Sequence, residues 1–326
     1  MPFRTLTQRI TLFIGTVSTA VLTAAAITVA GPAANASAAA LPVNYDFLAG
    51  AAVTFNSPST PPPGANNFSC RPSSAHPYPV ILVHGTLANM NDNWQAAAPI
   101  LANHGYCVFA FSYGGSSATA DLQGTGDIAA SAAQLATFVN TVLAATGAAK
   151  VDLVGNSQGG LMPRYYLNFL GGAAKVATFV ALAPSNYGTT LDGLTVLGTD
   201  LDFISGVNSL LSTTCTACVQ QEAGSAFLAR LNATPTVAGV NYTVIETRGD
   251  EVVTPYSNAF LPAAPDVTNI TLQNQCPLDA SDHVEIAADP VAMADMLNAL
   301  DPAAPVKVPC LVVLPLTGPV GPVPAF

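Results

Sequence analysis

The stretch VDLVGNSQGGLM, Val151 to Met162, sets one serine among glycines directly behind an apolar run. Ser157 is flanked by Gly155, Gly159 and Gly160. A glycine-rich turn after a strand either brings backbone close to a phosphate or holds a side chain in a cramped, exposed position. A phosphate loop requires G-x-x-x-x-G-K-[ST] and a dinucleotide site G-x-G-x-x-G; neither spacing is present here. The stretch instead carries G-x-S-x-G, with a strand pattern before it and a helical pattern after it. In that setting the serine occupies a sharp strand-to-helix turn with its hydroxyl above a sheet. The glycines relieve crowding two residues to either side. A plain structural turn is the alternative, because G-x-S-x-G arises easily by chance in a chain rich in Gly and Ser.

Outward from this turn, PVILVHG (Pro79–Gly85) and CVFAFSYGG (Cys107–Gly115) are continuous apolar runs ending in glycine. That is the pattern of strands buried on both faces. NWQAAAPILANHG between them reads as a helix stopped by Gly105. Thr125–Gly147 is a long helical pattern whose apolar stripe is Ile128, Leu135, Phe138, Val142 and Leu143. KVDLVGNS, QGGLMPRYYLNFLGG and KVATFVALAPS (Lys175–Ser185) then read strand, helix, strand. Asn241–Val253, Asp266–Gln273 and a closing helix over Asp289–Leu300 resume the alternation. The fold class expected is α/β: a mostly parallel central sheet with helices on both faces. The alternation breaks over about residues 186–239, a leucine-rich segment without a strand that reads as an inserted helical cap. Residues 41–79 read as irregular, and the Pro-rich tail 302–326 as an extended segment pinned by Cys310.

The chain opens with Arg4 and Arg9, an uncharged run from Ile10 to Ala30, and small residues up to Ala36 or Ala38. This order predicts a secretory signal over residues 1–38 and a single catalytic domain over 39–326. A retained membrane anchor is the alternative, since the apolar run is long enough to cross a bilayer. All six cysteines lie beyond the expected signal, as suits a disulfide-bonded secreted protein. Nearness along the chain favours Cys70–Cys107, Cys215–Cys218 and Cys276–Cys310, although order alone leaves the pairing open. CTAC is also a spacing used in redox and metal sites, but no second CxxC or histidine pair accompanies it. The net charge of −10 and the lack of a basic patch argue against nucleic acid as a partner. No Asp/His cluster has a convincing metal-binding spacing, so no metal is expected, and a structural calcium stays open without support.

A serine hydroxyl needs a base within hydrogen-bond reach. The four histidines are His76, His84, His104 and His283. In this architecture the order along the chain is Ser, acid, His, and only His283 follows Ser157; a surface histidine is its bland alternative. Asp250 follows the strand run YTVIETRG, so it should emerge at the same carboxyl edge as the serine. Glu251 lies one residue round, and Asp279 and Asp282 sit too close to His283 in sequence to reach the far side of its ring. The acid's task is to fix the imidazole tautomer and stabilise the imidazolium. The oxyanion donors expected are the backbone N–H of Gln158 and of Thr86, with the Thr86 hydroxyl a candidate third. His84 is expected to be a structural residue of that loop.

Taken in order, VILVHGT with NW downstream, GNSQGG, TRGDEVVTPY and DHVEIAADP make the chain resemble the secreted bacterial lipases of the α/β-hydrolase superfamily, in the class 2 lipase group. The resemblance runs from about Val43 to the end, and the four motifs are specific as an ordered set rather than singly. It implies the α/β-hydrolase fold and a cofactor-free lipase acting on triacylglycerols or related lipid esters, with Ser157, Asp250 and His283 as its triad. The glutamine after the nucleophile is similar to the serine-glutamine turn of fungal lipases. A monomer meeting its substrate at a lipid–water interface is expected. Tyr187, Leu194 and Leu197 are candidates for the pocket wall, although each alone is more simply a core residue. The rival functions are a short-chain carboxylesterase or cutinase-like polyester hydrolase, and a non-catalytic binding protein on the same fold. The last usually lacks a triad member, and none is missing here.

Overall fold

The strands are short runs of branched and aromatic side chains, and most are buried on both faces. They are β1 (Val80–Val83), β2 (Val108–Phe111), β3 (Val151–Asn156), β4 (Val176–Leu182), β5 (Asn241–Glu246) and β6 (Val267–Thr271). In the computed structural model, which describes residues 39–190 and 215–325, they form one six-stranded sheet in the order β2-β1-β3-β4-β5-β6. Every neighbouring pair is parallel. A parallel sheet carries its crossovers as helices and so must be covered twice.

Alternation along β1 shows the two layers. Val80 and Leu82 join a core with Trp94, Leu101, Val291 and Met293. Ile81 and Val83 join the opposite core with Leu135, Val139, Leu161 and Tyr166. The first layer is supplied by α1 (Phe47–Thr54), α2 (Ala97–Asn103) and the closing helix described below; the second by α3 (Ile128–Thr146) and α4 (Gln158–Phe169). Each fully buried Leu, Ile or Val contributes about 1.5–3 kcal/mol, so both faces hold the sheet. Asp127 caps α3 by accepting from the Ala130 N–H at 2.8 Å, and Gly147 closes it with φ +74°, the left-handed turn that favours glycine.

Beyond β4 the chain forms α5 (Thr216–Gln220) and α6 (Ala226–Asn232), and after β6 α7 (Leu272–Gln275) and the closing helix α8 (Pro290–Leu300). Helices α5 and α6 belong to the region expected as a cap; Leu194 and Leu197 lie outside the described residues, as does the expected signal 1–38. The bridges are Cys70–Cys107, Cys215–Cys218 and Cys276–Cys310. The tail is not simply extended. Val313–Leu314 (β7) and Gly318–Pro319 (β8) pair antiparallel, and the Leu48 N–H donates to Leu316 O at 3.1 Å. Helix α1 was not expected either: FLAGAAVT is apolar all round and has no period to read, but Asp46 caps it through the Ala49 N–H at 2.8 Å.

This winding locates a crevice. From β1 the chain steps outward to β2 and then crosses to β3 on the other side of β1. Such a reversal opens a cleft at the carboxyl ends of the strands concerned. The segment bearing Thr86 follows β1, Ser157 follows β3, Asp250 follows β5 and His283 lies beyond β6.

Candidate active site

Ser157 is the single residue between β3 and α4, and its backbone has φ 52° and ψ −119°. A side chain in that region costs roughly 1–3 kcal/mol. The turn is held by the Ser157 N–H donating to Leu182 O at 2.8 Å and the Gly160 N–H donating to Ser157 O at 2.8 Å. A Cβ at Gly155 would lie 1.8 Å from Gly159 O, and one at Gly159 would lie 1.9 Å from Val83 O. Both glycines are therefore steric requirements of helix α4 packing onto β3 and β1.

The His283 Nε2 lies 2.9 Å from Ser157 Oγ, and its Nδ1 lies 2.7 Å from Asp250 Oδ2. The other Asp250 oxygen accepts from the Val252 and Val253 N–H groups at 2.8 and 2.7 Å. A carboxylate only accepts, so Nδ1 carries the proton and Nε2 presents its lone pair to the serine. All three side chains are buried. Burial pushes the His283 pKa down, but the charge and hydrogen bond of Asp250, with Glu251 and Asp282 adding, leave it raised above 6.5.

The other acids have other partners. Asp282 Oδ1 accepts from the Val284 and Glu285 N–H groups at 3.1 and 2.7 Å, and Asp279 Oδ1 from the Ser281 N–H and hydroxyl at 2.8 and 2.7 Å. Glu251, pushed up to about 7 by burial and then by the charge of Asp282, makes no hydrogen bond to the imidazole among the described residues. Glu246, fully buried at the end of β5, is held well above the carboxylate range by burial and then by the charge of Asp250.

The corner opposite the imidazole is built from Thr86, Gln158 and two asparagines. Among the described residues no acceptor takes the backbone N–H of Thr86 or of Gln158. The Gln158 side chain donates to Gly124 O at 2.6 Å and to Thr86 Oγ at 2.8 Å. Asn93 Oδ1 accepts from the Gly85 N–H at 2.8 Å, and its amide donates to Asn156 Oδ1 at 3.3 Å, which ties this loop to the end of β3. The NW pair marked Asn93 in the sequence without its role. His84 is fully buried: its Nε2 accepts from the Tyr113 N–H at 3.2 Å, so its Nδ1 donates to Gly85 O at 2.8 Å. Burial lowers its pKa to about 4, with the Gly85 hydrogen bond opposing. It is a structural residue of the loop.

A cavity over Ser157 is lined by Phe47, Gly85, Thr86, Asn93, His283 and Val284, with Ala88 and Asn156 completing it. Phe47 comes from the helix that sequence patterning missed. Tyr187, half-buried after β4 with its N–H on Asn258 O at 2.9 Å, does not line this cavity. Arg164 is buried and spent on Pro235 O, Asn186 Oδ1 and Asn232 Oδ1 at 2.8–3.1 Å, so it offers no clamp for an anionic ligand. Among the described residues no cluster of His, Cys, Asp and Glu is placed to hold a metal ion.

Comparison with known proteins agrees with this arrangement. Residues 77–294 match the family described as Lipase (class 2). Triacylglycerol lipases of Pseudarthrobacter phenanthrenivorans and Burkholderia plantarii are each 43% identical over 93 residues. That stretch is 27% of this chain and 27% and 24% of theirs, so it spans about a quarter of those relatives. Among solved structures, Aspergillus fumigatus lipase B is similar with a TM-score of 0.59 and 21% identity, over 79% of this chain and 61% of that one. The mature form of Bacillus licheniformis lipase BlEst2 is similar with a TM-score of 0.50 and 19% identity, over 71% of this chain and 94% of that one. At these identities the likeness is one of fold, and the fold is the α/β-hydrolase fold.

Proposed function

The chain belongs to the class 2 lipase family, and from that premise we propose that it is a secreted lipase hydrolysing triacylglycerols and related lipid esters through an acyl-enzyme on Ser157. The observation that carries the reading is the unbroken hydrogen-bond line Asp250–His283–Ser157, at 2.7 and 2.9 Å, beside two backbone N–H groups with no protein acceptor among the described residues.

Ser157 Oγ attacks the ester carbonyl carbon as its proton passes to His283 Nε2. The carbonyl oxygen becomes an oxyanion received by the N–H groups of Thr86 and Gln158 and by the Thr86 hydroxyl. Such donors are worth roughly 3–4 kcal/mol each when aimed at the developing charge. Collapse expels the alcohol, which takes the proton from His283. Water then gives a proton to the same imidazole and attacks the acyl carbon; collapse releases the acid and restores the serine. Asp250 keeps its hydrogen bond to Nδ1 and stabilises the imidazolium.

An apolar substrate class is supported by the lining of the cavity, where Phe47 and Val284 meet the catalytic groups, and by the burial of Arg164. The three disulfides and the apolar opening of the chain support export. The test is hydrolysis of p-nitrophenyl esters by the protein and by Ser157→Ala. The variant should fold, lose turnover and no longer react with a fluorophosphonate; retained turnover would remove Ser157 from the reaction. Rates on butyrate against long-chain emulsified esters separate a lipase from a short-chain esterase.

A further inference from the structure

The hydroxyl of Thr86 has one proton to donate and two lone pairs to accept with. Both lone pairs are used. Gln158 Nε2 donates to Thr86 Oγ at 2.8 Å and Gln221 Nε2 donates to it at 2.9 Å. Each amide is fixed in orientation, because the same nitrogen also faces a backbone carbonyl, which can only accept: Gly124 O at 2.6 Å and Ala217 O at 3.2 Å. The Gln221 oxygen in turn accepts from the Ser185 hydroxyl at 2.8 Å. The proton of Thr86 therefore cannot point at either amide. Among the described residues no protein acceptor takes it, and Thr86 lines the cavity that holds Ser157 and His283.

We propose that Gln221 is a positioning residue that aims the Thr86 hydroxyl proton into the site, where the oxyanion of the ester reaction develops. The inference rests on the ester-hydrolase reading above. Gln221 is well mounted for the task. It follows the single-turn helix α5, closed by the Cys215–Cys218 bridge, and its own N–H returns to Ala217 O at 3.0 Å. The same turn is fastened to the start of α3: the Ala217 N–H donates to Thr125 O at 3.1 Å. Gln220 accepts from the Ile128 N–H at 2.8 Å and donates to Asp127 at 2.7 Å. The side chain is buried, so its hydrogen bond to Thr86 meets no competition from water.

A double-mutant cycle tests this. Gln221→Met keeps the length and removes the donor; Thr86→Val keeps the shape and removes the hydroxyl. Each should lower kcat on p-nitrophenyl butyrate by roughly tenfold or more with little change in KM. Gln221→Met should cost nothing further in the Thr86→Val background, since both act through one proton. Gln221→Glu, which turns the donor into an acceptor and draws the proton away from the cavity, should lose as much as Gln221→Met. Thr86→Ser should keep most of the activity. Affinity for a boronic acid, which forms a tetrahedral adduct on the serine, should fall in step with kcat, and melting curves exclude misfolding. A Gln221→Met enzyme with unchanged kcat, or one whose loss adds fully to that of Thr86→Val, overturns the role of Gln221 alone. A wild-type protein inert toward every ester overturns both readings.

Discussion

Replacing Asp250 by asparagine preserves its volume and turns one oxygen into an amide nitrogen. Which one is decided by the backbone. The Val252 and Val253 N–H groups both point at Oδ1, at 2.8 and 2.7 Å, and can only be met by an oxygen. The amide nitrogen must then occupy the Oδ2 position, 2.7 Å from His283 Nδ1. It donates there, so Nδ1 becomes the acceptor and the imidazole proton moves to Nε2, facing Ser157 Oγ at 2.9 Å. The base now presents a proton where it needs a lone pair. The Asp250 charge, which raises the His283 pKa against the lowering effect of burial, is lost as well. Wrong tautomer and lost stabilisation of the imidazolium together cost about ten-thousand-fold in kcat, about 5.5 kcal/mol of barrier. Initial rates on p-nitrophenyl butyrate, with active sites counted by fluorophosphonate labelling, measure it. Asp250→Asn retaining more than about a tenth of wild-type kcat would refute a chain of inference that calls for several orders of magnitude. So would Glu251→Gln showing the large loss in its place.

Other consequences follow from burial. The kcat/KM should rise with pH as His283 loses its proton, through a midpoint above 6.5; a pH–rate profile with its midpoint below that value would count against Asp250 as its partner. Glu285, buried against the Phe47 N–H at 3.1 Å, is pushed up to about 10 by burial, and then by the charges of Asp289 and Asp282. Below the unfolded pKa near 4.5 it is neutral in both states. As pH rises only the unfolded chain ionises, and folding loses up to about 1.4 kcal/mol per pH unit until the folded pKa is reached. Glu285→Gln should therefore raise the melting temperature, by more at pH 8 than at pH 5. Gly159→Ala would put a Cβ 1.9 Å from Val83 O and should destabilise by roughly 3 kcal/mol or more, read as insoluble protein or a much lower Tm.

How much of this was legible in the sequence depended on whether a residue's role is local. Strands buried on both faces must be apolar throughout, so β1 to β4 stood out as runs, and their alternation with helices implied the sheet. Ser157 was legible because its turn constrains its immediate neighbours. His283 was legible by elimination, and Asp250 because a strand end says which edge a loop leaves from. Helix α1 was not: it stays apolar on its exposed side, where Val53 is 80% exposed, so the sequence carries no period to read. Asn93 and Gln221 were not, since each is a lone polar residue whose hydrogen bonds reach residues far along the chain, Asn156 and Thr86. The partner of Gln221 is 135 positions away, and composition carries no trace of such a pairing.

The acid-rich surroundings of His283 then pose a question of their own. Asp250, Glu251 and Asp282 all raise its pKa, and Glu246 interacts with Asp250 and Glu285 with Asp282. Were all of these ionised, the imidazole would hold its proton too tightly to serve as a base near neutrality. Burial resolves the conflict from both sides. It lowers the pKa of His283 directly, and it raises those of Glu246, Glu285 and Asp289, which disfavours their charged forms. Asp250 is met by two backbone N–H groups on one oxygen and by the imidazole N–H on the other. Asp250 is the carboxylate in direct contact with the histidine, and its charge, with those of Glu251 and Asp282, leaves the His283 pKa raised against burial. Burial at the start of α8 and at the end of β5 thus bears on the proposed chemistry as well as on stability.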